Sequence, residues 1–266
     1  MSLIISTLAP SPLKVSNHRW FICALLFAAT TINYMDRQLL SLLKPIPDNE
    51  LHWTNAQFGW INSLFKGAYA LSYLAFGWFI DKYGTKIGYV VSITAWSLAA
   101  AAHALVTTIG GFGVARIALG VGEGGNFPAA IKVVAQWFPR KERTFATTLF
   151  NSGGNVGALL APAIIPPIAL AFGWHGAFII AGLAGFVWLA FCYELPQRSK
   201  LLQASELALI ESDREPDTET QSLSWRTLLG YRQTWAYLIA KILTDPVWWF
   251  SLIWLPDFLR RPLAWI

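Results

Sequence analysis

The sequence contains little charge. Only 13% of its 266 residues are Asp, Glu, Lys or Arg, whereas about a quarter is typical of a soluble domain. Hydrophobic residues make up 55%, and 14 Trp and 17 Phe are present, in keeping with the gathering of aromatic residues at membrane interfaces. This composition excludes an ordinary soluble domain and indicates a chain that lies largely in lipid.

Cysteine and histidine are also scarce. The two cysteines, Cys23 and Cys192, fall within apolar runs, so packing explains each of them better than a disulfide framework does. The four histidines lack the spacing of metal ligands, and neither a metal nor a cofactor is predicted. The glycine-rich residues 120–125 lie inside an apolar run rather than in a strand-to-helix turn, which excludes a phosphate loop. An enzyme is therefore not predicted.

Long apolar runs predict seven membrane-spanning helices. Each run is continuous rather than alternating over about ten residues, which favours helices over the strands of a barrel. The predicted spans are 20–43, 56–80, 87–107, 111–138, 145–168, 175–193 and 233–258. The sequence therefore predicts an all-α, polytopic membrane protein with a six-helix bundle and a seventh helix.

Lysine and arginine predict the orientation of these spans, because both are enriched in cytoplasmic loops. The connections after the second, fourth and sixth spans are rich in these residues, whereas the loops on the opposite side hold only Lys44. The N-terminus is therefore predicted to be cytoplasmic. The basic residues behind the net charge of +5 are distributed over these loops and do not form one cluster. No nucleic-acid partner is therefore predicted.

This topology predicts four segments: a cytoplasmic N-terminus (1–19), a six-helix bundle (20–193), a cytoplasmic linker (194–232) and the first helix of an incomplete second bundle (233–266). Within the linker, residues 205–210 are predicted to form a short amphipathic helix. Arg260 and Arg261 follow the seventh span on the outer side, where positive charge is disfavoured. From this ending we expect a truncated or frame-shifted product that lacks the rest of a second bundle.

Ionisable residues inside a membrane are costly and usually functional. Asp36 and Arg37 lie in the first span, and Arg116 and Glu123 lie two turns apart on nearly one face of the fourth. Helix geometry places Asp36 about 24 Å and Glu123 about 22 Å from the cytoplasmic face. Burial favours a protonated carboxyl and a guanidinium favours an ionised one, so such a site exchanges protons near neutral pH. The alternative is an internal ion pair that only stabilises helix packing.

Neighbouring residues of a helix point about 100° apart. We therefore expect Arg37 to face a central cavity, where a guanidinium binds a carboxylate as a fork, and Asp36 to turn toward Glu123. Lys132 is interpreted as a structural residue that extends toward the interface. Further polar residues line one face of the second span or lie one turn apart on the fifth: Asn62, Lys66, Tyr69, Tyr73, Asn151 and Asn155.

Residues 77–86, Gly-Trp-Phe-Ile-Asp-Lys-Tyr-Gly-Thr-Lys, resemble the G-x-x-x-D-[RK]-x-G-x-[RK] signature of the major facilitator superfamily. They stand in the predicted cytoplasmic loop between the second and third spans, and only the second basic residue at the end is missing, where Ile87 stands. Residues 33–37, 116–128 and 137–143 are similar to the anion:cation symporter family, and the hexuronate and sugar-acid transporters are its most similar branch. The resemblance covers about residues 18–258, the first seven of the family's twelve helices.

The resemblance implies two six-helix bundles that rock about a central site. It implies proton coupling by Asp36 and Glu123. The residues that it implies for substrate binding are Arg37, Arg116, Tyr34 and Tyr69. Lys66 would add positive charge to this cavity, and Asn155 is a further predicted contact from its place on the fifth span. A cytoplasmic gate is implied for the 77–86 signature, and its residues are Gly77, Asp81, Lys82, Gly84 and Lys86. An ordinary loop cap is the alternative for Asp81.

We therefore predict an integral protein of a bacterial inner membrane that transports a small organic anion, a hexuronate or similar sugar acid, by proton-coupled symport and alternating access. The predicted partners are this carboxylate, protons and the lipid bilayer, and no obligate protein partner is indicated. Two alternatives stay open: a non-transporting fragment of such a transporter, and a membrane sensor built on a transporter fold.

Overall fold

The computed structural model describes residues 18–44, 53–193, 210 and 224–260. Within these ranges the regular secondary structure is helical and contains no strand, so the predicted all-α class is confirmed. Four predicted features lie wholly or largely outside the described residues: the N-terminal segment up to residue 17, the amphipathic helix at 205–210, most of the linker, and residues 261–266.

The first three helices follow the predicted spans closely. They are α1 (His18–Leu43), α2 (Asn55–Tyr83) and α3 (Thr85–Ala102), the last continuing into a 3-10 turn at His103–Leu105. At the start of α2, the Thr54 hydroxyl accepts a hydrogen bond from the Gln57 amide, and the Gln57 side chain accepts one from the Thr54 amide. This capping box satisfies amides that the helix leaves unpaired. α2 ends at Tyr83, and the next residue is Gly84, whose φ of 87° is one that glycine adopts readily.

The fourth predicted span is not one continuous helix. It consists of α4 (Ile109–Glu123) and α5 (Asn126–Trp137). Gly124 and Gly125 separate the two helices, and consecutive glycines weaken a helix. Pro128 also lacks the amide hydrogen that would otherwise bond to the Gly124 carbonyl. The prediction of an unbroken helix is therefore wrong at the residues that directly follow Glu123.

The fifth and sixth predicted spans form one long element, α6 (Arg140–Tyr193), with a break at Gly173 (φ 72°, ψ 168°). The loop expected at 169–174 is thus reduced to one residue whose backbone conformation suits glycine. The remaining described helices are α7 (Trp225–Gly230) and α8 (Arg232–Arg260). α8 corresponds to the seventh predicted span.

Three helical stretches among the described residues are long and apolar enough to cross a membrane: Thr85–Leu105, Arg140–Phe191 and Arg232–Pro256. The second has 52 residues, which is about 78 Å of helix against a hydrocarbon core of about 30 Å. It is therefore long enough to cross twice and turn at Gly173. α4 and α5, with 15 and 12 residues, are each too short to cross alone because the glycines divide them.

Close helix contacts bring the charged spans together. α1 packs on α6, and α4 packs against both α2 and α3. A Cβ atom added to Gly120 of α4 would lie 2.5 Å from the Phe65 carbonyl oxygen of α2, and one added to Gly153 of α6 would lie 2.5 Å from the Phe27 carbonyl oxygen of α1. These glycines therefore serve close packing, as expected for helices in a membrane.

Candidate functional site

The ionisable residues of α1 and α4 meet inside the bundle. Nε of Arg37 on α1 donates a hydrogen bond to Oε2 of Glu123 on α4 at 2.6 Å. The two side chains are 2% and 0% exposed. A charge-assisted hydrogen bond between buried groups is strong, and removal of either partner would leave a costly unpaired charge.

This contact corrects the orientation expected for the first span. Arg37, not Asp36, makes the direct hydrogen bond to Glu123, and Arg37 is buried instead of facing an open cavity. Asp36 lies close enough to Glu123 to interact with its charge, as expected, but does not contact it. Asp36 is also buried, and its Oδ2 atom has no hydrogen-bond partner among the described residues. The physical reason is charge: a guanidinium attracts the Glu123 carboxylate, whereas two ionised carboxylates at contact distance repel each other.

Aromatic rings surround the Arg37 guanidinium. Its central carbon lies 4.6 Å from the centre of the Tyr34 ring, 4.5 Å from that of Tyr69 and 5.3 Å from that of Trp249. The Phe65 ring is 5.9 Å away. Such cation–π contacts are favourable, and more so where water is excluded. Both predicted site tyrosines thus contact Arg37, and Trp249 joins α8 to the same cluster.

Arg116 is also next to Phe65, but it forms no ion pair with a described residue. It is 1% exposed, and its guanidinium carbon is 5.7 Å from the Phe65 ring. Its Nε and Nη2 atoms have no hydrogen-bond partner among the described residues. Other buried atoms nearby also lack a hydrogen bond of ordinary geometry to a described residue: Asn33 Oδ1 and Nδ2, Arg37 Nη2 and Glu123 Oε1. The Asn33 and Glu123 side chains nevertheless lie close enough to interact, as do those of Arg37 and Tyr69. Buried polar atoms are normally paired, so this cluster has donors and acceptors available for a polar ligand.

Lys66 and Asn155 differ in their relation to this cluster. The Lys66 ammonium lies 5.3 Å from the centre of the Trp249 ring, the ring that also contacts Arg37. Lys66 and Trp254 line a cavity of about 290 Å³ between α2 and α8. Asn155 is exposed on α6, and no hydrogen bond within the described part of the chain joins it to Arg37. The structure therefore groups Lys66 with Arg37 through Trp249 and leaves Asn155 outside the cluster.

The 77–86 signature covers the end of α2, Gly84 and the first two residues of α3. The loop predicted for it is thus reduced to Gly84, because the capped end of α2 runs directly into α3. Nζ of Lys132 on α5 donates to Oδ1 of Asp81 at 2.7 Å and to the carbonyl oxygen of Ile80 at 3.1 Å. Lys132 thus contacts both the acid and the carbonyl end of α2, where a cation is favourable. A contact between Asp81 and a basic residue is what the resemblance implies for the gate.

The other signature residues have separate surroundings. The Lys82 ammonium lies 5.1 Å from the Trp78 ring and 5.2 Å from the Tyr83 ring. Lys86 is exposed, and a Cβ atom added at Gly77 would meet nothing within 4 Å. The gate function of these residues stays a prediction.

Sequence reasoning missed Phe65, Trp249 and Lys132 as members of these contacts. Lys132 had a usable signal, because the predicted topology places it near the cytoplasmic end of its span, as it does Asp81. Trp249 had none, because it stands in the aromatic run 248–250 and the ring that faces Arg37 depends on the rotation of α8.

Comparison with known proteins supports the predicted family. Residues 26–265 match the Major Facilitator Superfamily. The chain is 31% identical over 255 residues to a galacturonate transporter of Dickeya chrysanthemi, which covers 93% of this chain and 74% of the relative. It is 32% identical over 255 residues to a hexuronate transporter of Escherichia coli (strain K12), which covers 93% of this chain and 59% of the relative. A probable galactarate/D-glucarate transporter of Bacillus subtilis (strain 168) is 31% identical over 267 residues, with 92% of this chain and 58% of the relative covered.

Among solved structures, the chain is similar to a bacterial homologue of the human lysosomal transporter Spinster in an inward-facing, unoccupied conformation. The TM-score is 0.74 at 18% identity, over 92% of this chain and 56% of that one, which shows the fold. These relatives are transporters, in agreement with the prediction that the chain is not an enzyme. The predicted family resemblance is therefore confirmed: the chain is an integral membrane protein that belongs to the Major Facilitator Superfamily.

Proposed function

We propose that the chain carries out proton-coupled symport of a small sugar acid, a hexuronate or similar carboxylate, by alternating access. The names of the galacturonate and hexuronate transporters that it resembles support a sugar acid as the substrate. The observation that carries the proposal is the buried contact between Arg37 and Glu123. It joins a cation suited to a carboxylate with an acid suited to proton exchange.

The proposed coupling is a competition for Arg37. While Glu123 is ionised, its carboxylate occupies the Arg37 guanidinium. Protonation makes Glu123 neutral and weakens this contact, because charge-assisted hydrogen bonds are roughly twice as strong as neutral ones. The guanidinium is then available to the carboxylate of the substrate. Loss of the proton on the other side of the membrane restores Glu123 as a competitor and displaces the substrate.

The charges of the buried cluster suit this exchange. Asp36 and Glu123 carry two negative charges when ionised, and Arg37 and Arg116 carry two positive ones. Protonation of one acid leaves a net positive charge, which a substrate carboxylate neutralises. Because an uncompensated charge is costly in a low-dielectric interior, proton and anion are favoured to bind together. We assign Arg116 as a second contact for the anion, since its Nε and Nη2 atoms are unpaired.

The remaining contacts are proposed from position and chemistry. Tyr34 and Tyr69 contact Arg37 and offer hydroxyl groups to the hydroxyls of a sugar acid. Lys66 adds a positive charge beside Trp249. Asn155 would contribute an amide from α6, which requires a movement toward the cluster when substrate binds.

We also propose a bacterial inner membrane as the location, with the N-terminus in the cytoplasm and the four segments divided as predicted. At one end of the bundle, Arg19 pairs with Glu142 at 2.8 Å and Lys132 pairs with Asp81 at 2.7 Å. The basic residues of this end support its assignment to the cytoplasm. In this orientation the contact between α5 and the end of α2 serves as the cytoplasmic gate.

Uptake of labelled galacturonate and glucuronate into proteoliposomes under an imposed proton gradient tests the proposal. We expect uptake that depends on the gradient. Glu123→Gln, which resembles the protonated acid, should keep binding but lose the pH dependence, and Asp36→Asn should reduce accumulation. Leu170→Ala, whose exposed side chain on α6 belongs to no proposed contact, is the control. Unchanged uptake with an intact pH dependence in both acid variants would overturn the coupling.

A further inference from the structure

The break between α4 and α5 lies directly after Glu123 and carries contacts that the proposed coupling does not use. In an unbroken helix, the carbonyls of Val121 and Gly122 would accept from the amides four residues later, which belong to Gly125 and Asn126 beyond the end of α4. Two side chains contact these carbonyls instead. The Ser72 hydroxyl of α2 donates to the Val121 carbonyl at 2.5 Å, and the Ser92 hydroxyl of α3 donates to the Gly122 carbonyl at 2.6 Å.

The two serines fit against the glycines of the break. Ser72 is 5% exposed and Ser92 is 0% exposed. A Cβ atom added to Gly124 would lie 2.7 Å from Ser72 Oγ, and one added to Gly125 would lie 2.7 Å from Ser92 Oγ. The glycines therefore leave the space that the serines occupy, and the broken end of α4 is held from two sides by α2 and α3.

We propose that Ser72 and Ser92 are positioning residues for Glu123. By anchoring the two carbonyls that directly precede it, they fix the last turn of α4 in the rotation that brings the Glu123 carboxylate to Arg37. Ser72 also lies one turn from Tyr69, whose ring contacts Arg37, so α2 supports both partners of the ion pair. The consequence for transport rests on the proposed function, whereas the positioning of Glu123 does not.

Within the described part of the chain, the charged and titratable groups that face Glu123 come from three helices. They are Asp36 and Arg37 of α1, Tyr69 of α2 and Arg116 of α4 itself. From α3, this end of α4 is contacted by the uncharged Ser92 and by the backbone at Trp96. Because the two serines carry no charge, they change the protonation of Glu123 only through its distance from these groups. A serine that merely satisfies a carbonyl would instead alter stability and leave protonation unchanged.

Infrared titration of the purified 266-residue chain without sugar acid separates these roles. The carboxyl band of protonated Glu123 is identified by its loss in Glu123→Gln. In Ser72→Ala, Ser92→Ala and the double variant, the contact with Arg37 loosens, so Glu123 keeps its proton to higher pH. We expect the midpoint of the band to rise by about one pH unit in the double variant, a tenfold change in proton affinity.

Ser97→Ala is the matched control, because Ser97 is also a buried serine of α3 but lies against Gly185 of α6. In this control, the midpoint of the Glu123 band should equal that of the unaltered chain. Ser72→Thr keeps the hydroxyl, so its midpoint should also be unchanged. If the double variant does not fold, the two single variants decide. Midpoints in the alanine variants equal to that of Ser97→Ala overturn the inference even where uptake is normal. A shifted midpoint in a chain that takes up no sugar acid supports it and contradicts only the proposed function.

Discussion

Arg37 and Glu123 are 86 residues apart in the sequence, yet their Nε and Oε2 atoms lie 2.6 Å apart in the folded chain. The pair is closed off from solvent and joins α1 to α4. Asp36, the neighbour of Arg37, is buried without a partner for its Oδ2 atom. An acid and a base that are adjacent in sequence therefore have different surroundings, and of the two only the base makes a direct contact with α4 among the described residues.

Removal of one partner of this pair should destabilise the protein more than removal of both. Arg37→Met leaves a buried carboxylate unpaired, and Glu123→Leu leaves a buried guanidinium unpaired, at a cost of about 3–5 kcal/mol each. The double variant buries no unpaired charge and should lose less than the sum. Denaturant unfolding of all four proteins in mixed micelles measures the coupling, and strictly additive losses would contradict the contact.

Trp249 should contribute to substrate affinity through the cations on either side of it. Its ring contacts both Arg37 and Lys66 at 5.3 Å, and loss of a desolvated cation–π contact costs about 1–2 kcal/mol. We expect Trp249→Ala to raise the KM for uptake about tenfold, and Trp249→Phe to raise it less. Trp248→Ala is the control, because the Trp248 side chain is exposed. An equal effect of the two alanine variants would argue against a specific role.

The pair of Lys132 and Asp81 should affect the rate of transport more than stability. The Asp81 side chain is 77% exposed, and an exposed ion pair contributes about 0–1 kcal/mol. Lys132→Ala and Asp81→Asn should therefore unfold nearly as the unaltered chain does, but should lower the maximal uptake rate several-fold with little change in KM. The reason is that the contact joins two helices at the proposed gate, away from the proposed substrate site.

Glu142→Gln is the control for that prediction, because it disrupts the contact with Arg19 at the same end of the bundle but does not involve the signature. Its uptake rate should stay near that of the unaltered chain. A comparable loss of rate in Glu142→Gln, or a large rise of KM in Asp81→Asn, would count against the gate.

Gly153→Ala should destabilise the bundle. The added Cβ would lie 2.5 Å from the Phe27 carbonyl oxygen, so α1 and α6 must move apart, at a cost of about 1–3 kcal/mol. Gly67→Ala is matched to it, because Gly67 is also helical but has nothing within 4 Å of an added Cβ. There the better helix propensity of alanine should leave stability equal or slightly higher. Thermal unfolding in detergent compares the two, and similar midpoints would contradict the close contact.

The sequence predicted most of the helices because apolar runs are long in this chain. Backbone polar groups in lipid must be satisfied within the segment, which favours helices over most alternatives. The break after Glu123 was missed because a Gly-Gly pair is common in membrane helices that pack closely. Whether it interrupts the helix depends on contacts such as those of Ser72 and Ser92, which lie far from it in sequence.

The sequence predicted which residues belong to the candidate site better than it predicted how they are arranged. Charge within an apolar run singled out Arg37, Arg116 and Glu123, since burial of such groups is costly without a function. Asn155, in contrast, was predicted as a member but lies outside the cluster. Its polarity alone does not indicate which way its side of the helix faces.

The sequence by itself determined that this chain lies in a membrane as an all-α protein, and its 77–86 signature indicated the family. Those features follow from composition and local pattern, which need no knowledge of the neighbouring helices. The tertiary structure alone decided that Arg37 rather than Asp36 contacts Glu123, that Trp249 lies beside two cations, and that Lys132 pairs with Asp81. The rotation of each helix about its axis is set by packing against the others, and sequence periodicity constrains that rotation only to within a broad face.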